Sequence, residues 1–223
     1  EEERQKIMEL PQRSKAWLRA RQGRLTGSVM AAAIGHNFFC RHDDLLIQLL
    51  WSTFKGNEAT AYGTKMEPVA FQVYNDYLHE QKQDLAQEMG LYIHLDKPWF
   101  AYSPDGVRLK GLLEIKCPFK KKLYGRIPQM YYDQISYGMW ILQKQFCDFV
   151  CLTPTQTSIE TYTYEEEYTE DMLLVRAEDF YFRKYLPRFL GKRRGLIQED
   201  TCDWNTVVRV ERYRPLPFKE YVN

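Results

Sequence analysis

The chain has 223 residues, 44% of them apolar and 15% aromatic, and its 31 basic and 30 acidic side chains leave a net charge of +1. Length and apolar content suit one domain with a real core and exclude a disordered chain. No apolar run approaches the roughly 20 residues of a membrane span, and net charge alone makes no case for nucleic acid. Five scattered cysteines, Cys40, Cys117, Cys147, Cys151 and Cys202, contain no C-x-x-C pair. Zinc and disulfide frameworks are therefore not expected, and reduced thiols in a cytoplasm or nucleus are. Glu1-Glu2-Glu3-Arg4 is neither a signal nor a transit peptide, and the lack of an initiator Met suggests processing or trimming.

In chain order, residues 14–22 read as a short helix that Ser14 caps and Gly23 closes, with Trp17, Leu18 and Arg21 at helical spacing. Thr26 or Ser28 opens a second helix, through Ile34, which Gly35 stops. Residues 43–54 carry a leucine stripe and predict a third. A longer helix is expected over 63–80, with Met66, Ala70, Val73, Tyr74 and Tyr77 buried, and Pro68 tolerated only near its start. Residues 88–95 and 98–102 read as strands. Residues 129–143 predict a helix, 146–152 and 158–164 a hairpin, and 168–190 a long helix before a proline-containing tail. The order is that of an α/β protein with a mixed central β-sheet flanked by helices.

The most informative stretch is Ser103-Pro104-Asp105-Gly106 followed by Leu112-Leu113-Glu114-Ile115-Lys116-Cys117-Pro118. It is punctuated as strand, turn, strand. Alternation along a strand puts Glu114 and Lys116 on one face and Leu113 and Ile115 on the other. A turn that folds Asp105 back beside them gathers two carboxylates and an ammonium. Hard divalent cations take such oxygen donors, and the ammonium can place a water or offset charge on a phosphoryl oxygen. Glu-x-Lys is ordinarily a solvated pair, but charges inside an apolar strand cost free energy unless paired or metal-bound. Basic residues gather over 13–24, 116–126 and 192–194; the first two flank these stretches and predict one positive face.

Four ordered blocks give a resemblance. They are Trp17-x-x-x-Arg21-x-Gly23-x-x-Thr26-x-Ser28; Tyr62-Gly63-x-x-x-Glu67-x-x-Ala70; the Asp105…Glu114-Ile115-Lys116 segment; and Tyr131-x-x-Gln134-x-x-x-Gly138-Met139-Trp140. Over about residues 14–152 the chain resembles the phage lambda-type alkaline exonucleases, or YqaJ-like viral recombinases, a branch of the PD-(D/E)xK nucleases. The resemblance implies one nuclease domain over 1–223, with 153–223 as hairpin, helix and tail. It implies Glu67, Asp105, Glu114 and the Ile115 carbonyl as ligands of Mg²⁺, with Mn²⁺ as substitute. Lys116 and Gln134 join Asp105 and Glu114 in catalysis. It implies that Arg21 and Ser28 hold a 5′ phosphate. Ser103, Tyr131, Lys120 and Lys121 are expected as further DNA contacts, the two lysines from this chain's own basic segment, because the family's contacts from that loop do not carry over.

The activity so implied is 5′-to-3′ digestion of one strand of a linear duplex, leaving a 3′ single strand for recombination. Its implied partners are duplex DNA ends, a strand-annealing protein, and further copies of the chain in the family's ring-shaped trimer. The setting is inside the host of a phage or large DNA virus. Ser136 stands where the family has a second glutamine, the segment between Pro118 and Gln134 is short, and the likeness fades beyond about 165. A DNA or RNA endonuclease on the same core, and an inactive DNA-end binding module, are the alternatives. The iron–sulfur branch of the superfamily needs four cysteines in a spacing that this chain lacks.

Overall fold

The computed structural model describes residues 2–51, 56–119 and 122–198. Lys120, Lys121, Cys202 and the proline-containing tail lie outside the described residues.

The chain opens with a helix that was not expected, α1 (Glu2–Met8). It continues through α2 (Lys15–Arg21), β1 (Leu25–Thr26), α3 (Gly27–Ala33), α4 (His42–Trp51) and α5 (Glu58–Glu80). Four strands follow: β2 (Tyr92–Ile93), β3 (Phe100–Tyr102), β4 (Gly106–Val107) and β5 (Gly111–Lys116). Then come α6 (Gln129–Ile141), β6 (Phe146–Leu152) and β7 (Thr157–Thr163). A last helical run begins with a π-helical segment, Glu167–Leu174, and passes through α7 (Val175–Phe180). A second π-helical segment, Tyr181–Tyr185, leads into α8 (Leu186–Arg193).

Local chemistry accounts for most of these limits. The Ser14 hydroxyl accepts from the Trp17 N–H at 3.1 Å and caps α2, and Gly23 leaves the helix at φ 76°. Two expectations for α5 need correction. It starts at Glu58 because Asn57 and Thr60 form a capping box, so Pro68 lies inside the helix rather than near its start. Its buried residues are Ala70, Tyr74 and Leu78, whereas Val73 and Tyr77 are exposed. The expected central sheet is realised as two sheets, each mixed: β1-β3-β2 and β4-β5-β6-β7. The strands expected over 88–95 and 98–102 shrink to β2 and β3.

Residue alternation along β5 decides what faces the site. Leu112 joins the main core under α3, α6 and the C-terminal run, whereas Leu113 and Ile115 pack with Ala70 and Tyr74 of α5. Glu114 therefore looks toward α6. A third cluster seats Ile7 and Trp17 against Ile93 and Ala101. Behind β6, buried Arg108 donates to Asp148 at 3.0 Å and Asp84 at 2.8 Å, and Thr161 donates to Asp148 at 2.6 Å. Tyr74 also donates to Asp148, tying α5 to the sheet. Both charges of that pair are thus hydrogen-bonded, the condition for keeping them out of water. Among the described residues no helix is long and apolar enough to cross a membrane.

Candidate active site

The turn after β3 brings Asp105 back to β5, where its Oδ2 accepts the Ile115 N–H at 2.6 Å. One residue before, Glu114 is buried and its carboxylate is fully engaged. Oε1 accepts from the Lys116 ammonium and from Gln134 Nε2, the latter at 2.7 Å. Oε2 accepts from the Tyr102 hydroxyl at 3.1 Å. Lys116 also lies 4.8 Å from the centre of the Tyr131 ring. Strand alternation and one turn of α6 thus bring Asp105, Glu114, Lys116, Gln134 and Tyr131 together, as expected.

The electrostatics follow from this crowding. Burial and then the Glu114 charge raise the Asp105 carboxyl well above the usual carboxylate range; Glu67 adds to this, while Lys116 and the Ile115 N–H oppose it. Burial by itself would lower Lys116, but Glu114 and Asp105 outweigh it and hold the ammonium above its ordinary value. Lys116 borders a cavity of about 1140 Å³ that is also lined by Ser28, Glu67, Ile115, Tyr131 and Gln134, whereas Asp105 and Glu114 are not part of its lining.

Glu67 reaches this cavity from α5, but its carboxylate is bound to Arg13, whose Nη2 lies 2.5 Å from Oε2. Among the described residues no three His, Cys, Asp or Glu side chains are gathered as a metal-binding group. Each of the three expected carboxylates already holds an N–H of the chain itself. The donor chemistry nevertheless suits a hard cation: Asp105 lies close enough to Glu114 and Glu67 for both charges to resist its ionisation, an excess of anionic oxygen that a cation would relieve.

Arg21 and Ser28 are joined directly. Arg21 Nη2 donates to Ser28 Oγ at 3.2 Å and to Thr26 Oγ1 at 2.9 Å, and its guanidinium lies over the Trp17 ring at 4.2 Å. Burial lowers Arg21 to about 10, which leaves it charged at neutral pH. Ser28 lines the cavity. Ser103 does not: its hydroxyl accepts the Trp17 indole N–H at 2.9 Å, so it braces the arginine's stacking partner. The two lysines proposed as DNA contacts, Lys120 and Lys121, lie outside the described residues.

Sequence reasoning missed two residues here. Tyr102 reads as a core aromatic, and Arg13 as one member of a basic run. Two glycines are the available signal for Tyr102. A Cβ at Gly27 would come within 2.4 Å of its ring, and one at Gly138 likewise. Both glycines fall inside the blocks that carry the resemblance.

Comparison with known proteins places the family and the fold. The sequence profile of the YqaJ-like viral recombinase domain matches residues 16–145, more than half of the chain. The fold is that of an alkaline exonuclease, LHK-Exo, from Laribacter hongkongensis: TM-score 0.65 at 24% identity, covering 82% of this chain and 97% of that one. The structure of LHK-Exo in complex with dAMP superposes with a TM-score of 0.58 at 25% identity, covering 82% and 93%. An uncharacterized protein, R354, of Acanthamoeba polyphaga mimivirus is 26% identical over 187 residues, 74% of this chain. The chain spans about a third (32%) of that viral protein's length. By the profile match and the fold it shares, the chain belongs to the YqaJ-like viral recombinase domain family.

Proposed function

We propose that the chain is a Mg²⁺-dependent deoxyribonuclease that digests one strand of a linear duplex from a 5′-phosphorylated end, 5′ to 3′. The observation that carries this is the junction at Glu114. There a lysine and a glutamine that line the cavity, together with a buried tyrosine, meet on one buried carboxylate beside Asp105. Family membership and the alkaline exonuclease fold support the reading. So does the dAMP complex of LHK-Exo, because a deoxynucleoside monophosphate is what a DNA exonuclease releases.

Asp105, Glu114, Glu67 and the Ile115 carbonyl would hold the cation, with Mn²⁺ as a substitute. When bound, it supplies Lewis-acid stabilisation of charge on the phosphoryl oxygens. The chain's own residues do the rest. Lys116, held as an ammonium, places positive charge where the phosphoryl oxygens become more negative and offers a proton to orient the attacking water. Gln134 and Tyr102 fix the Glu114 carboxylate from opposite oxygens, so its position does not depend on rotamer freedom. Arg21 and Ser28 hold the terminal phosphate and thereby select the bond that is cut.

The test is cleavage of linear against closed circular duplex, in Mg²⁺ and in excess chelator, with each end labelled in turn. We expect loss of linear DNA only, release beginning at the 5′ label, and no product in chelator. Equal attack on closed circles would replace the exonuclease reading with an endonuclease one. Undiminished cleavage in chelator would end the metal reading.

A further inference from the structure

Arg13 is the one basic residue whose guanidinium sits directly on an expected cation-binding carboxylate among the described residues, Nη2 to Glu67 Oε2 at 2.5 Å. Its setting is unusual. Arg13 has φ 68°, a left-handed backbone that non-glycine residues adopt only when their surroundings enforce it. The surroundings do so from both sides. Gln12 Nε2 donates to the Pro104 carbonyl at 2.8 Å and the Met89 carbonyl at 3.1 Å, and Ser14 is committed to capping α2. The loop's backbone is thus pinned to the turn that carries Asp105, while the guanidinium reaches across to α5. The side chain itself is about half exposed (52%) and lines the same cavity as Ser28, Lys116 and Gln134.

Glu67 therefore has two competing cationic partners. A divalent cation that takes its carboxylate also repels the guanidinium beside it, and with the backbone held, only the Arg13 side chain is free to move. A guanidinium displaced at the wall of this cavity faces the space a DNA backbone would fill, and its planar fork suits phosphate.

We propose that Arg13 couples cation binding to DNA binding, pairing with Glu67 until a divalent cation claims that carboxylate and then pairing with a backbone phosphate. This rests on the metal-dependent nuclease reading above. By competing for Glu67, Arg13 weakens cation binding in the absence of DNA. Because coupling between two ligands is reciprocal, a cation strengthens DNA binding through Arg13 as much as DNA strengthens cation binding.

The test measures two affinities in wild type and Arg13→Gln. These are Mn²⁺ binding without DNA, and binding of a linear duplex in Ca²⁺ or in chelator. Without the competing guanidinium, Mn²⁺ should bind Arg13→Gln about two- to fivefold more tightly, the scale of a half-exposed ion pair. In Ca²⁺ the variant should lose about tenfold in duplex affinity, the scale of a charge-assisted contact, and in chelator almost nothing. Arg13→Gly adopts the left-handed backbone freely and carries the same test if the glutamine variant does not fold. Unchanged Mn²⁺ affinity, or equal DNA loss with and without Ca²⁺, overturns the coupling while leaving the nuclease reading intact. A wild-type protein that binds no Mn²⁺ overturns both.

Discussion

Tyr102 donates its hydroxyl proton to Oε2 of Glu114 at 3.1 Å, and it reaches that oxygen through a slot made by two missing side chains. Gly27 flanks one side of the ring and Gly138 the other. A Cβ at Gly138 would stand 2.4 Å from Tyr102 Cζ and 2.7 Å from its hydroxyl. The fully buried ring has nowhere to retreat. Burial first, and then the Glu114 charge, hold its phenol well above the ordinary tyrosine range, so it remains a donor at any working pH.

The slot separates packing from chemistry. Gly138→Ala forces the ring to shift and should cost about 1–3 kcal/mol of stability, the usual range for overpacking. Tyr102→Phe keeps the ring and removes only the hydroxyl. It should leave the melting temperature within a few degrees of wild type while slowing cleavage about tenfold, as expected for a hydrogen bond to a charged group worth about 1.5 kcal/mol. Equal rates for Tyr102→Phe and wild type would reduce Tyr102 to a packing residue.

Lys116 and Glu114 make a second, asymmetric pair of variants. Both Glu114→Gln and Lys116→Met should fold and lose cleavage of linear duplex in Mg²⁺. Their stabilities should differ. Losing the ammonium leaves the Glu114 carboxylate buried without its cation, a change of the kind that costs about 3–5 kcal/mol. Losing the Glu114 charge removes the main neighbour opposing ionisation of Asp105, which can then balance Lys116. Lys116→Met should therefore melt well below Glu114→Gln. The reverse order would show that Glu114, not Lys116, is the charge that the fold depends on.

Much of the site was legible because it is local in sequence. Glu114 and Lys116 share a face by strand alternation, Ser14 caps its own helix, and Tyr131 and Gln134 lie about one turn apart on α6. What escaped depends on distant contacts. The role of Tyr102 needs Gly27 and Gly138 beside it. The hold of Arg13 on Glu67 needs a left-handed residue and a contact across 54 positions. The start of α5 was misjudged for a different reason: Gly63 resembles a helix boundary, yet the Asn57–Thr60 capping box, whose cap stands six residues earlier, prevails and carries the helix through both Gly63 and Pro68.

Away from the site, His42 should give stability a pH dependence. Its Nε2 lies 3.0 Å from the Ala33 carbonyl and its Nδ1 lies 2.7 Å from the Lys184 ammonium. The tautomer that suits both carries its proton on Nε2 and accepts at Nδ1. Burial and then Lys184 lower its pKa, with the Ala33 carbonyl and then Asp43 and Asp179 opposing more weakly. A histidine depressed in the fold contributes stability above its unfolded pKa of about 6.5 and loses it as pH falls toward the folded value. The melting temperature should drop from pH 7 to 5, and Lys184→Met should drop less. His94, lowered chiefly by burial, should leave a residual slope in both. Parallel curves for the two proteins would remove the Lys184 contribution.

The last prediction concerns recognition of the DNA end. Arg21 is stacked on Trp17, Trp17 is fixed by Ser103, and Arg21 donates to Ser28 on the cavity wall. A terminal phosphate at Ser28 would meet a guanidinium already oriented, and charge-assisted contacts of this kind contribute about 1.5–3 kcal/mol, roughly ten- to a hundredfold in rate if fully expressed at the transition state. Wild-type protein should degrade a 5′-phosphorylated duplex much faster than the same duplex ending in a 5′-hydroxyl. Arg21→Ala should slow the phosphorylated substrate selectively and erase most of that preference. The hydrogen bond from Arg21 to Thr26 offers a competing explanation, since it links α2 to β1 and its loss would loosen both. Thr26→Val removes that link and keeps the guanidinium, so it should lower the melting temperature while retaining the preference for phosphate. If Arg21→Ala slows both ends equally and matches Thr26→Val in melting temperature, Arg21 is a brace for α2 and the case for 5′-end recognition fails.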